Sequence, residues 1–241
     1  MKTEHFEQPW SRFVRFIAED GRELCGEPID ENLDVGLALA SNQRVTVKVL
    51  DSKSALTPGQ FTGEHATIKK LLSPVASHEV GTIRCIGLNF KDHAAELKLP
   101  LPKVPEIFMK PAECLNNPSD AIVIPKSAEN AVDAEVELAI VIGRDCKNVD
   151  AASALDHILG YTTANDITCR DVQVRTSQWS YCKGYDGFCP LGPVLVSSKS
   201  FSGPLNLSMK TTLDGETLQN GTTDDMIFSI ADIVSYLSQA Q

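Results

Sequence analysis

One segment constrains the fold more than any other. EVELAIVIG (135–143) alternates two faces: Val136, Leu138, Ile140 and Ile142 are all apolar, while Glu135 and Glu137 lead into Ala139 and Val141 on the other. This period-two pattern reads as a strand. A strand apolar on one face and nearly so on the other predicts a sheet covered on both sides. The two glutamates then stand at the mouth of a partly buried pocket. With 241 residues, 42% of them hydrophobic, the chain can build such a core as one large domain or as a small domain followed by a medium one.

The flanking segments extend the β reading. RFVRFIAEDGREL (12–24) alternates around the turn signal Glu19-Asp20-Gly21, and RVTVKVL (44–50) puts Val45, Val47 and Val49 on one face. A stretch from Asp51 to Gly63 holds Pro58-Gly59 and reads as a linker. These features predict a small β-rich N-terminal domain over 1–77 and a larger, mostly β domain over 78–241, α+β as a whole. In the second part, IRCIGLNF (83–90) reads as a buried strand running into a helix that Asn89 can cap. Residues 98–126 carry six of the thirteen prolines and read as loop with short extended pieces. ILGYTTANDIT (158–168) is the next strand. Asp214-Gly215 and Asn220-Gly221 are turn signals. TTDDMIFSIADIVSYLSQ (222–239) has Ile227, Ile230, Val234 and Leu237 at helical spacing, with Thr223 or Asp224 as cap.

Charge and cysteine usage narrow the function classes. The net charge of -10, with no clustering of Lys and Arg, argues against nucleic-acid binding. The seven cysteines are odd in number, lack a C-x-x-C and have no regular spacing, so a disulfide framework or zinc knuckle is not expected. No apolar run approaches the roughly 20 residues of a membrane span, and MKTEHFEQPWSRF has no apolar signal core. The expectation is a cytoplasmic protein without membrane or nucleic-acid partners.

Several side chains are candidates for chemistry. Glu135 and Glu137 with Asp166, at the end of the second strand, would form an all-oxygen set. Such a set suits Mg²⁺, Mn²⁺ or Ca²⁺ better than zinc. A water-facing E-x-E on an ordinary strand is the alternative. His93 and Glu96 are i, i+3 neighbours on one helix face. The carboxylate there would raise imidazole basicity and fix its tautomer, unless the pair is an incidental one on a solvated face. His5, His65, His78 and His157 have no comparable setting. Lys183, followed by a Gly- and Pro-rich turn, could carry a fixed ammonium into a pocket, and Arg170 and Gln173 follow directly on the Asp166 segment.

Taken in order, these pieces resemble a known family. G-x-N-F-x-x-H-x-x-E at 87–96, F-M-K-P at 108–111, E-x-E at 135–137, A-N-D at 164–166, R-D-V-Q at 170–173 and K-x-x-D-x-F-x-P-x-G-P at 183–193 are similar to the fumarylacetoacetate hydrolase family. The branch of acylpyruvate hydrolases and oxaloacetate decarboxylases is the most similar. The resemblance covers about Ile83 to Leu237. It implies a mixed β-roll, a homodimer, and one Mg²⁺ or Mn²⁺ per subunit held by Glu135, Glu137 and Asp166. It also implies a water-activating pair in His93 and Glu96 and an active-site lysine in Lys183. Arg170, Gln173 and Lys110 would bind a small 2-oxo acid. The family usually continues beyond the last helix into a strand with a T-G-T-P motif, whereas this sequence stops at Gln241. On that reading two core strands and a pocket wall are missing.

The implied activity is hydrolysis of a C–C bond in acylpyruvate-type 2,4-diketo acids, or decarboxylation of oxaloacetate. Hydration or isomerisation of 2-oxo-dienoates, a specialised biosynthetic step on a larger β-dicarbonyl, and a truncated, non-catalytic role remain open alternatives.

Overall fold

The computed structural model describes residues 8–201 and 206–239. His5 and the chain end at Gln241 lie outside them. The N-terminal strands are β1 (Arg12–Ala18), β2 (Glu23–Pro28), β3 (Thr46–Leu50) and β4 (Phe61–Leu72), with helix α1 (Val35–Ala40) between β2 and β3. Each pairs antiparallel with the next, and β4 returns to β1, so the four close into a ring. Alternation drives the closure. Val14, Phe16 and Ala18 of β1 and Val45 and Val47 around β3 point inward and are buried with Ile68 and Leu71. Asp34 caps α1 by accepting from Leu37 N at 2.9 Å, which sets Val35 and Ala38 into the same core.

The rest of the chain supplies β5 (Thr82–Gly87), α2 (Lys91–Glu96), β6 (Glu106–Pro111), β7 (Leu115–Asn116), β8 (Val132–Asp133) and β9 (Val136–Ile142). After these come α3 (Ala151–Ala154), β10 (Ile158–Asn165), β11 (Thr168–Cys169), α4 (Arg170–Gln173), α5 (Ser180–Lys183) and β12 (Cys189–Ser197). The hairpin β13 (Ser208–Leu213) and β14 (Glu216–Thr222) and the helix α6 (Ile230–Ser238) close the order. The main sheet runs β2-β3-β4-β1-β12-β10-β9, with β7 parallel to β12. The ring is joined to this sheet through β1 itself, whose Arg12 and Phe13 pair with Val196 and Leu195 of β12. Helix α6 covers one face of β9 and β10, packing Ile230 and Val234 against Leu138, Ile140 and Tyr161. Among the described residues no helix is long and apolar enough to cross a membrane.

Four local readings need correction. Strand β9 is covered only in part. It is the last strand of the sheet, and every residue in it keeps some exposure. Asn89 does not cap α2. The N-cap is Phe90, and the Asn89 amide is spent on Phe228 instead. The last helix starts at Ile230, later than Thr223 or Asp224 would place it, because Ser229 and Asp232 form a reciprocal capping box. Asp214-Gly215, both at positive φ, makes the β13–β14 turn, while Asn220-Gly221 lies inside β14.

Candidate active site

Strand pairing brings two carboxylates side by side. Glu137 lies opposite Ala164 and Val136 opposite Asn165 in the β9–β10 ladder. The next step is made by Asp166 N donating to the Glu135 carbonyl at 2.9 Å, with Glu135 N donating to Asn165 Oδ1 at 3.1 Å. Beyond it, β11 places Thr168 opposite Asp133. Residues 133, 135 and 137 therefore form an acidic row on one strand segment, facing Asp166 and Thr168 on the other.

Three cations meet this row. Lys183, buried on α5, uses all three of its donors: Glu135 Oε2 at 2.6 Å, Asp166 Oδ2 at 2.7 Å and Thr168 Oγ1 at 2.7 Å. Lys110 points inward from β6 with Phe108, by strand alternation. It donates to Asp166 Oδ1 at 2.5 Å and to the Phe188 carbonyl at 2.7 Å. Asp166 is thus held by one lysine on each oxygen. Arg170, at the start of α4, lies 2.7 Å from Glu135 Oε1 through Nη2. The same nitrogen donates to Asp133 Oδ2 at 2.8 Å, and Nη1 donates to Gln173 Oε1 at 3.1 Å. Burial pulls the Lys183 ammonium down, but Asp166 and Glu135 outweigh it and hold it above the ordinary lysine value.

Glu137 is the exception in the row. Burial, reinforced by the charges of Glu135 and Asp166, pushes its carboxyl up to about 8, and the two lysines only partly offset this. Among the described residues no basic side chain is paired with Glu137; Lys110 and Lys183 are bonded to its neighbours. That is the environment in which a bound cation gains most, and the all-oxygen donors suit a hard divalent ion. The donor chemistry fits such an ion. In the present arrangement Glu135 and Asp166 give their oxygens to Lys183, Lys110 and Arg170. Among the described residues no three His, Cys, Asp or Glu side chains converge as a ready metal site.

An aromatic wall borders the cluster. The Lys183 ammonium sits 5.3 Å from the Phe108 ring centroid, and Trp179 packs edge-on to Phe108 at 5.8 Å. Trp179 in turn lies directly on Gly87, where an added Cβ would fall 2.0 Å from the indole. The His93–Glu96 pair follows six residues later in the chain. Its Nδ1 and Oε2 are 3.4 Å apart, both side chains are exposed, and neither bonds to the carboxylate–lysine cluster. Burial pushes the Cys114 and Cys189 thiols up to about 11, so they stay protonated at neutral pH and are poor nucleophiles.

The structure thus gathers Glu135, Asp166, Lys183, Lys110, Arg170 and Gln173, sets Glu137 beside them, and leaves His93 and Glu96 as an exposed pair not bonded to the cluster. Sequence reading missed Asp133 and Thr168. The D-x-E-x-E run at 133–137 was a period-two signal for Asp133.

Residues 82–241 match the family model described as fumarylacetoacetate (FAA) hydrolase, C-terminal. The chain belongs to the fumarylacetoacetate hydrolase family. Among its relatives, a caffeoylpyruvate hydrolase of Neonothopanus nambi is 39% identical over 237 residues, covering 95% of this chain and 76% of that protein. A mitochondrial oxaloacetate tautomerase of Xenopus laevis is 40% identical over 190 residues, 78% of this chain and 58% of that one. The fold is shared with the crystal structure of a 2-hydroxyhepta-2,4-diene-1,7-dioate isomerase from Mycobacterium marinum. Its TM-score is 0.77 at 33% identity, covering 96% of this chain and 82% of that one. The α+β fold is therefore the one this family uses, within a family of hydrolases, tautomerases and isomerases.

Proposed function

We propose that the protein hydrolyses a C–C bond in an acylpyruvate-type 2,4-diketo acid. The observation that carries this reading is the partly buried cluster in which Glu135 and Asp166 are paired with Lys183, Lys110 and Arg170, with Glu137 beside it. Such a site can take an anionic, oxygen-rich substrate and stabilise charge that develops on it. Glu135, Glu137 and Asp166 would hold Mg²⁺ or Mn²⁺, which would supply positive charge to the carboxylate and 2-oxo oxygens of the substrate.

The residues of the chain then have distinct tasks. His93 takes a proton from water while Glu96 holds the imidazole in the right tautomer. The resulting hydroxide adds to the distal carbonyl carbon, and Gln173, together with Lys183 once it releases one of its three present acceptors, donates to the oxygen that becomes negative. The bond between that carbon and the methylene breaks, releasing a carboxylic acid and the enolate of pyruvate, which is protonated on carbon. Arg170 orients the substrate, while Lys110, too deeply buried to reach it as the sequence had suggested, holds the Asp166 carboxylate in place. Loss of CO₂ from oxaloacetate would use the same enolate without water attack.

A second reading is proton transfer alone, as keto–enol tautomerisation or isomerisation of a 2-oxo acid. The names of the Xenopus laevis and Mycobacterium marinum proteins favour it. Homodimerisation in the cytoplasm completes the proposal. The exposed run Leu97, Leu99, Leu101 and Val104 offers apolar surface for a partner subunit, and seven free thiols suit a reducing compartment.

Acetylpyruvate with and without Mg²⁺ or Mn²⁺, followed by proton NMR, tests the reading. Metal-dependent appearance of acetate and pyruvate, absent in Glu135→Ala, is the expected result. Tautomer exchange without either product would replace hydrolysis with the second reading.

A further inference from the structure

The His93–Glu96 pair is held in place by a part of the chain remote in sequence. Strand β5 ends at Gly87, and Leu88 then adopts a left-handed backbone with φ of 54°. A leucine is rarely found there and stays only where its neighbours fix it. Five contacts fix the residues that follow it, all from residues 225–228. The buried Asn89 side chain accepts from Phe228 N at 2.9 Å and donates to Phe228 O at 3.2 Å, and the Asn89 carbonyl accepts from Ile227 N at 2.8 Å. Phe90 and Met226 form an antiparallel bridge. Asp225 Oδ2 accepts from Asp92 N at 2.8 Å, satisfying a free amide in the first turn of α2, whose own N-cap Phe90 offers no side-chain acceptor.

The same segment runs straight into α6. That helix is fixed by its capping box and by packing of Ile230 and Val234 on Leu138 and Ile140 of β9. The opposite face of β9 carries Glu137. A continuous set of contacts therefore links the carboxylate row, through β9, α6 and residues 225–228, to the helix bearing His93 and Glu96. Helix α2 has only six residues, too short to hold its own direction in water.

We propose that residues 225–228 form a clasp that sets His93 and Glu96 relative to the carboxylate–lysine cluster, with Asn89 and Asp225 as positioning residues for hydrolysis. This rests on the reading that His93 activates water. Loosening the clasp lets α2 tilt, so substrate still binds but the water is misplaced. A shift on the order of 1 Å in a reacting group lowers rate steeply while leaving binding nearly unchanged.

The test compares Asn89→Ala, Asp225→Ala, Asp225→Asn and His93→Ala, each shown to be folded by circular dichroism, and the double variant His93→Ala/Asp225→Ala. Acetylpyruvate cleavage and hydrogen exchange of residues 90–97 are measured. The expected result is a fall in kcat of roughly tenfold or more for both single alanine variants of the clasp, with KM nearly unchanged. Exchange across α2 should be faster in those two variants. Asp225→Asn keeps an acceptor for Asp92 N and should stay close to the parent protein. The double variant should be no slower than His93→Ala. Wild-type kcat in Asn89→Ala and Asp225→Ala beside an inactive His93→Ala would overturn the clasp and leave the functional reading intact. Losses that multiply in the double variant would show that the clasp does not act through His93 and would overturn the proposal. Wild-type turnover by His93→Ala would remove the water-activating role, and the clasp's catalytic role with it.

Discussion

Lys110 Nζ and Asp166 Oδ1 meet at 2.5 Å with their side chains 1% and 10% exposed. A buried ion pair of this kind adds little net stability over an apolar pair, but removing one partner strands the other. Lys110→Met leaves Asp166 with Lys183 alone and leaves the Phe188 carbonyl without its lysine donor. The expected cost is about 3 kcal/mol, read as a lower urea midpoint with an unchanged slope.

The raised Glu137 carboxyl makes stability depend on pH. In chelator-treated protein its folded value of about 8 lies above the ordinary 4.5, so the folded state binds more protons than the unfolded one between those limits. Stability from this group is fully present below pH 4.5 and is lost as pH rises toward 8. Urea titrations across that range should show the decline, and Glu137→Gln should flatten it. A slope that Glu137→Gln leaves untouched would assign the effect elsewhere.

Gly87→Ala puts a methyl group where the Trp179 indole lies, 2.0 Å from the nearest ring carbon. The ring must shift, at a cost of about 1–3 kcal/mol. The chain has two tryptophans, and Trp10 is buried in a separate core cluster. An altered emission maximum in Gly87→Ala would therefore report Trp179, and an unchanged spectrum and melting temperature would contradict the close contact.

Arg170 spans Asp133, Glu135 and Gln173 with one planar fork. Lysine retains the charge but not the geometry. Arg170→Lys should raise KM for acetylpyruvate by about tenfold, equivalent to about 1.4 kcal/mol, with a smaller effect on kcat. Steady-state kinetics on the purified variant decide it, and an unchanged KM would take Arg170 out of substrate binding.

Local patterns were the legible part of this molecule. The β1–β2 turn, the alternation of β9 and the Asp-Gly turn at 214–215 were readable because a few adjacent residues determine each. The role of Asn89 was not, because the group that claims its amide is Phe228, 139 positions away. The start of α6 was misplaced for a related reason. Thr223 and Ser229 are both competent caps, and the reciprocal bonds between Ser229 and Asp232, together with packing of Ile230, decide between them. In the site, Glu135, Asp166 and Lys183 were visible as residue types. That Lys110 would be buried against Asp166, 56 positions away, is a long-range pairing that no local pattern encodes.

Strand β1 is shared between the N-terminal ring and the main sheet, and this fixes an order of events during synthesis. β2 to β4 all emerge from the ribosome soon after β1, so the ring can close while most of the chain is still unmade. Arg12 and Phe13 must then wait, beside the finished ring, for Val196 and Leu195 to arrive. Strand β1 is thus among the last of the described strands to have all its hydrogen bonds satisfied, and until then it exposes a short edge to whatever is nearby.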